Sequence, residues 1–260
     1  MFTVTIIPCL SDNYAYLITC AQTKATLLVD PSEPEPVLAA IGRAGGRLDA
    51  VLCTHHHMDH VGGLDAVRER FRSVKVYAHH EDAPKIDGVN RALGHDDGFV
   101  LGAVSVCAKH VPAHTKGALV YVIDERAAFT GDTLFTAGCG RLFEGTAAMM
   151  HHALNDVLGA LGDGVLVYPG HEYTEKNLRF ARSVEPGSEA IAEREARVAA
   201  VRARGEPSVP STMGEERASN PFLRVREPSV RAFARAREPS VDEGDAAQVL
   251  AVVRRARDVF

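Results

Sequence analysis

Thr54-His55-His56-His57-Met58-Asp59-His60 decides how the chain is read. His55, His57 and His60 with Asp59 place three imidazoles and a carboxylate within six residues. The apolar run Ala50-Val51-Leu52-Cys53 before it reads as a buried strand, and Val61-Gly62-Gly63-Leu64 after it opens a helical pattern. The donors therefore lie where α/β proteins carry their chemistry, between a strand end and a helix start. On an extended segment His55 and His57 point to the same side and can share one ion. Asp59 and His60 follow as the chain turns toward the helix, so they face a neighbouring point. Gly62 and Gly63 are expected to let the backbone pass close to this site. A tag or an accidental histidine-rich loop is the bland alternative, and the position between strand and helix argues against it.

Working outward, other strand ends supply further donors. Strands are expected over 2–8, 14–18 and 25–30, with Ser11-Asp12-Asn13 as a turn. Asp30 either caps a turn or orients a ligand histidine. Helices are expected over 36–44 and 64–71, and a strand over 74–78. His79, His80 and His95 read as surface or loop histidines. The strand 104–108 leads into Val111-Pro112-Ala113-His114, where His114 is favoured over His110 because a turn frees its side chain from strand pairing. The hairpin 119–123/127–130 ends at Gly131-Asp132. A helix over 147–161 would carry His151 and His152 on its surface. A last strand over 165–168 ends at Pro169-Gly170-His171.

One zinc takes about three protein ligands plus water. His55, His57, Asp59, His60, His114, Asp132 and His171 instead suit two divalent ions roughly 3.5–4 Å apart. Asp132 is the natural bridge, since a carboxylate offers two oxygens.

Composition bounds the rest. The chain has 260 residues, 46% of them hydrophobic, enough for a sizeable core. The net charge of −5 and the lack of a long basic block argue against nucleic acid. No apolar run reaches the ~18 residues of a membrane span. Met1 to Pro8 lacks the pattern of a signal peptide. Five scattered cysteines without a C-x-x-C pair fit reduced thiols, so a cytoplasmic location is expected. All 12 histidines lie between His55 and His171, and arginine becomes frequent with alanine and glutamate after Tyr173. A chemical domain over 1–172 and a helical one over 173–260 are expected.

T-H-H-H-M-D-H, P-A-H-T, T-G-D-T-L-F and P-G-H-E-Y-T together resemble the metallo-β-lactamase superfamily. Gly138-Cys139-Gly140-Arg141-Leu142-Phe143-Glu144-Gly145-Thr146 and Ser219-Asn220-Pro221-Phe222-Leu223-Arg224 narrow the resemblance to glyoxalase II, the hydroxyacylglutathione hydrolases. The resemblance runs over nearly the whole chain. It implies an α/β fold, the αββα sandwich, with a C-terminal helical domain completing the substrate site. It implies His55, His57 and His114 around one ion and Asp59, His60 and His171 around the other, with Asp132 bridging. The ions would be zinc, with iron or manganese as alternatives. The implied reaction is hydrolysis of S-D-lactoylglutathione to glutathione and D-lactate by a hydroxide shared between the ions, with Asp59 orienting it as well as ligating. Glutathione contacts would map to Arg141, Phe143, Tyr173, Arg254 and Arg257. Arg141 and Arg257 stand where lysine is common in the eukaryotic pattern, and Phe143 where tyrosine is frequent. Charge is kept, one hydroxyl is lost, and an arginine forks where a lysine is a point charge.

Three other readings compete. A persulfide dioxygenase on the same scaffold would use one iron held by two histidines and a carboxylate, which leaves too many donors here. A β-lactamase would be exported. A binding module without turnover would be expected to have lost ligands. A monomer acting on a small glutathione thioester is the expectation.

Overall fold

The computed structural model describes residues 1–260. Its core is two six-stranded sheets. The first runs in the order β1 (Phe2–Cys9), β2 (Asn13–Cys20), β3 (Thr26–Val29), β4 (Ala50–Leu52), β5 (Lys75–His79), β6 (Arg91–Leu93). The second runs β14 (Ser211–Thr212), β13 (Leu166–Pro169), β10 (Ala127–Gly131), β9 (Leu119–Ile123), β8 (Val104–His110), β7 (Gly98–Leu101). A small hairpin, β11 (Leu134–Phe135) and β12 (Gly138–Cys139), follows β10.

The period of two along a strand explains the layering. In β2, Tyr14, Tyr16 and Ile18 enter the core between the sheets, while Ala15 and Leu17 face outward into a second core. That outer core holds Val37, Ala40 and Ile41 of α1 (Pro34–Arg43). In β9, Leu119, Tyr121 and Ile123 point between the sheets, and Val120 and Val122 point to the opposite outer core. Strands covered on both faces read as continuous apolar runs. The result is the expected αββα sandwich.

The ligand run departs from the expectation in one detail. Met58–Val61 is a one-turn helix, α2, ahead of α3 (Leu64–Arg70), so Asp59 and His60 sit on a helical turn. Gly62 and Gly63 do not approach the donors. A Cβ on Gly63 would lie 2.9 Å from Pro31 and Pro34 backbone atoms. The glycines that do approach them are Gly170, where a Cβ would sit 2.6 Å from the His60 ring and 2.7 Å from Asp132 Oδ1, and Gly140, where it would overlap the Asp132 carbonyl oxygen and lie 3.1 Å from His114 Nδ1.

Further differences concern short or unusual elements. β6 and β7 are too short and exposed to announce themselves. The segment expected as one helix over 147–161 is α4 (Ala147–His151), then π-helical turns over His152–Val157 and a 3₁₀ turn over Leu158–Ala160. His151 is half-buried, with Nε2 enclosed, and only His152 is exposed. His79 is not a surface residue: it ends β5 and is buried. β13 is not the last strand, because β14 from the C-terminal segment pairs with it. The remaining helices are α5 (Thr174–Val184), α6 (Glu189–Arg202), α7 (Met213–Ser219), α8 (Pro228–Arg237) and α9 (Ala246–Asp258). α7 starts with a capping box between Thr212 and Glu215. No helix is long and apolar enough to cross a membrane, and all five cysteines are free.

Candidate metal centre

The loops after β3, β4, β8, β10 and β13 meet at one edge of the sandwich. They bring together all seven donors named from sequence. His55 Nε2 and His114 Nε2 each lie 3.0 Å from His57 Nδ1. Asp132 Oδ1 faces His60 Nε2 at 3.2 Å and His171 Nε2 at 3.3 Å, while its Oδ2 faces His114 Nε2 at 3.5 Å. Asp59 Oδ2 lies 3.4 Å from His171 Nε2. Donor atoms within 4.8 Å of one another form three groups: His55, His57, His114; His55, His60, Asp132; and Asp59, His60, His171. One carboxylate thus turns an oxygen to each of two triads.

The surroundings aim these donors. Asp30 sits in the left-handed region at φ 48°. Its Oδ1 accepts from the Thr54 N–H at 2.8 Å, and Oδ2 accepts from the Thr54 hydroxyl at 2.7 Å. Oδ2 also holds His60 Nδ1 at 2.9 Å. Of the two roles open to Asp30, orienting a histidine is the one seen. Asp12 Oδ1 holds His171 Nδ1 at 2.9 Å, the Arg141 carbonyl holds His114 Nδ1 at 2.9 Å, and the Thr54 hydroxyl lies 3.1 Å from His55 Nδ1. Asn13 donates to the Asp59 carbonyl oxygen at 2.9 Å and to its carboxylate at 3.3 Å. With Nδ1 occupied on four rings, each Nε2 lone pair is left facing the centre, as in ligated histidines. Sequence reading took Asp12 and Asn13 for turn residues only. A turn signal looks the same whether or not its side chains reach another loop.

The donor set fits cations. His60 Nε2 and Asp132 Oδ1 are buried without a hydrogen-bond partner. Burial, with His60 as the next cause, pushes His55 well below the ordinary histidine range. Burial opposes a charge on His60 and on Asp132, yet their mutual attraction raises His60 and lowers Asp132. Burial likewise opposes a charge on His171, but the Asp132 and Asp59 carboxylates facing its Nε2 outweigh it and raise its pKa to about 10. The same negative field favours a cation at this point. The fold and this cluster indicate a dinuclear metal site.

Comparison with known proteins agrees. The model of the metallo-beta-lactamase superfamily matches residues 11–171, and that of the hydroxyacylglutathione hydrolase C-terminus matches residues 172–260. A hydroxyacylglutathione hydrolase of Ruegeria pomeroyi is 41% identical over 258 residues, covering 99% of this chain and 98% of that protein. The chain belongs to the hydroxyacylglutathione hydrolase family. A relative from Arabidopsis thaliana, named as the cytoplasmic hydroxyacylglutathione hydrolase, is 42% identical over 86% of this chain and 89% of its own. The crystal structure of ETHE1 from Myxococcus xanthus shares the fold, with a TM-score of 0.66 at 24% identity over 100% of this chain and 99% of that one.

In this member of the hydroxyacylglutathione hydrolases the metal centre floors a cavity of about 400 Å³. His57, Asp59, His114, Asp132 and His171 reach it from the sandwich. Arg141, Phe143, Tyr173, Arg254 and Arg257, all named from sequence, line its walls. Phe143 is 59% exposed, with its ring 5.7 Å from that of His57, and Tyr173 stacks on His171 at 4.6 Å. Arg254 is buried and braced by the Cys139 carbonyl and by Asp258, while Arg257 donates to Asn177. Lys176, Asn177 and Asp258 line the same cavity and were missed, because nothing in a helix pattern says which polar residue faces a pocket.

Proposed function

We propose that the chain hydrolyses the thioester of an S-(2-hydroxyacyl)glutathione, releasing glutathione and the hydroxy acid. The observation that carries this is the cavity itself. A centre built for two cations and the basic side chains of Arg141, Lys176, Arg254 and Arg257 line one and the same cavity. A glutathione thioester has a reactive carbonyl to match the centre and two carboxylates to match the basic side chains. The named relatives support the same reading.

His55, His57 and His114 would hold one ion, and Asp59, His60 and His171 the other, with Asp132 between. Two such ions supply Lewis-acid polarisation of the carbonyl and a water of lowered pKa, and zinc, iron and manganese all suit this donor set. The chain's own residues do the rest. Arg141 and Arg257 position the thioester by its carboxylates. The Tyr173 ring, stacked on His171, and Phe143 shield the reacting end from bulk water. Asp59, fixed by Asn13, sets the orientation of the attacking oxygen. A thiolate leaves readily, so no strong protein acid is required. The boundary at 172/173, a cytoplasmic location and a monomeric state belong to the same proposal.

Purified protein supplied with zinc, iron or manganese should hydrolyse S-D-lactoylglutathione and lose the activity on chelation. Oxygen uptake on glutathione persulfide is the control for the dioxygenase reading. Seven converging donors, more than its single iron takes, speak against that reading. Oxygen uptake without thioester cleavage would reverse the choice.

A further inference from the structure

Asp82 was singled out by no motif, yet it ties the centre together from behind. It follows β5 and opens a single 3₁₀ turn, Ala83–Lys85, with its side chain fully buried. Its Oδ2 accepts from the His56 N–H at 3.1 Å and from the Thr115 hydroxyl at 3.3 Å. The same oxygen lies 3.0 Å from His56 Nδ1. His56 is the residue between His55 and His57, and Thr115 follows His114. One oxygen therefore pins both loops that carry the three-imidazole group.

The carboxylate is itself held in place. The Asp82 N–H donates to the His79 carbonyl at 3.0 Å, and the Lys85 N–H donates to the Asp82 carbonyl at 2.8 Å. Lys85 Nζ stands 3.7 Å from Oδ1. Gly117 presses on it so closely that a Cβ there would overlap the carboxyl group. None of this reaches the second triad, whose members are fixed by Asp30, Asp12 and Asn13.

We infer that Asp82 is a positioning residue for one ion site alone, the one made by His55, His57 and His114, and that it sets the affinity of that site independently of the other. The inference rests on the dinuclear reading above. Its physical basis is convergence: three nitrogens from two loops meet at one point only if the loops keep register, and a buried N–H left unpaired would draw the first loop away.

The test uses zinc on the whole chain, with zinc per chain and the two stepwise dissociation constants read by chelator competition. Asp82→Ala should weaken one step by about 10–100-fold and leave the other unchanged. Asp82→Asn, whose amide oxygen can accept both bonds, should recover most of the loss. The zinc that Asp82→Ala retains should be abolished by adding His171→Ala and kept on adding His57→Ala. Gly117→Ala displaces the carboxylate without removing it and should give the same one-step loss, which covers the case in which Asp82→Ala does not fold. A wild-type chain that binds a single zinc would sink the dinuclear reading. A wild-type chain that binds two, beside variants that keep both constants or lose both equally, would overturn the role of Asp82 alone.

Discussion

Arg254 on α9 donates to the carbonyl oxygen of Cys139 at 2.7 Å. The last helix is thereby fastened to the β11–β12 hairpin, which lies two to seven residues beyond Asp132. The guanidinium also lies over the Phe222 ring at 5.3 Å and pairs with Asp258 at 3.1 Å. A residue named from sequence as a substrate contact is thus also a strut, and the two roles can be separated.

Arg254→Ala should raise KM for a glutathione thioester about 10-fold, the effect of losing one charge-assisted hydrogen bond, with metal content unchanged. It should also cost about 1–3 kcal/mol of stability, because the Cys139 carbonyl is left buried and unpaired. Steady-state kinetics, metal analysis and denaturant titration read the three quantities. A stability loss with unchanged KM would leave Arg254 as a strut only.

Asp30→Ala should lower metal affinity by about 10–100-fold without removing a ligand. It frees His60 to rotate and leaves the Thr54 N–H unpaired. Asp30→Asn should fall between the variant and wild type. Chelator competition measures it, and wild-type affinity in Asp30→Ala would show that packing alone aims His60.

Asp132→Ala removes the only side chain that offers an oxygen to both triads. Metal content should fall and thioester hydrolysis should be abolished, a larger effect than the ~10–100-fold expected from an orienting residue. His57→Ala should behave the same way. Turnover retained in metal-depleted protein would refute the assignment.

His79 offers a pH test away from the metal centre. The Glu81 N–H donates to its Nδ1 at 3.2 Å, and its ring stacks on His110 at 3.9 Å. Burial first, then the neighbouring His110 and His80, lower its pKa to about 4. An unfolded histidine titrates near 6.5, about the ordinary value. The stability tied to neutral His79 is therefore complete above about pH 6.5 and is lost as pH falls through the folded value. His79→Phe keeps the stacking shape and cannot take up a proton. It should lose less stability than wild type between those two pH values in urea titrations, and parallel losses would exclude His79 as a source.

Much of this protein was legible in its residues one by one. Covered strands announced themselves as apolar runs, and donors sat just past them, so the seven metal-facing side chains could be named in advance, while the sandwich followed from the resemblance that the motifs carry. Each of those signals is local: a side chain of known chemistry at a strand end, where backbone pairing stops and side chains are free to converge. The parts that tertiary structure alone decided are pairings between distant segments. Asp12 meets His171 across 159 residues, and Arg254 meets Cys139 across 115. Asp82 joins two loops it follows by 26 residues and precedes by 33. A carboxylate in a turn, an arginine on a helix and a histidine after a strand each look solvated in one dimension. Only the packing of the sheets and the return of α9 to the β11–β12 hairpin bury them against a partner and give their polar atoms a direction.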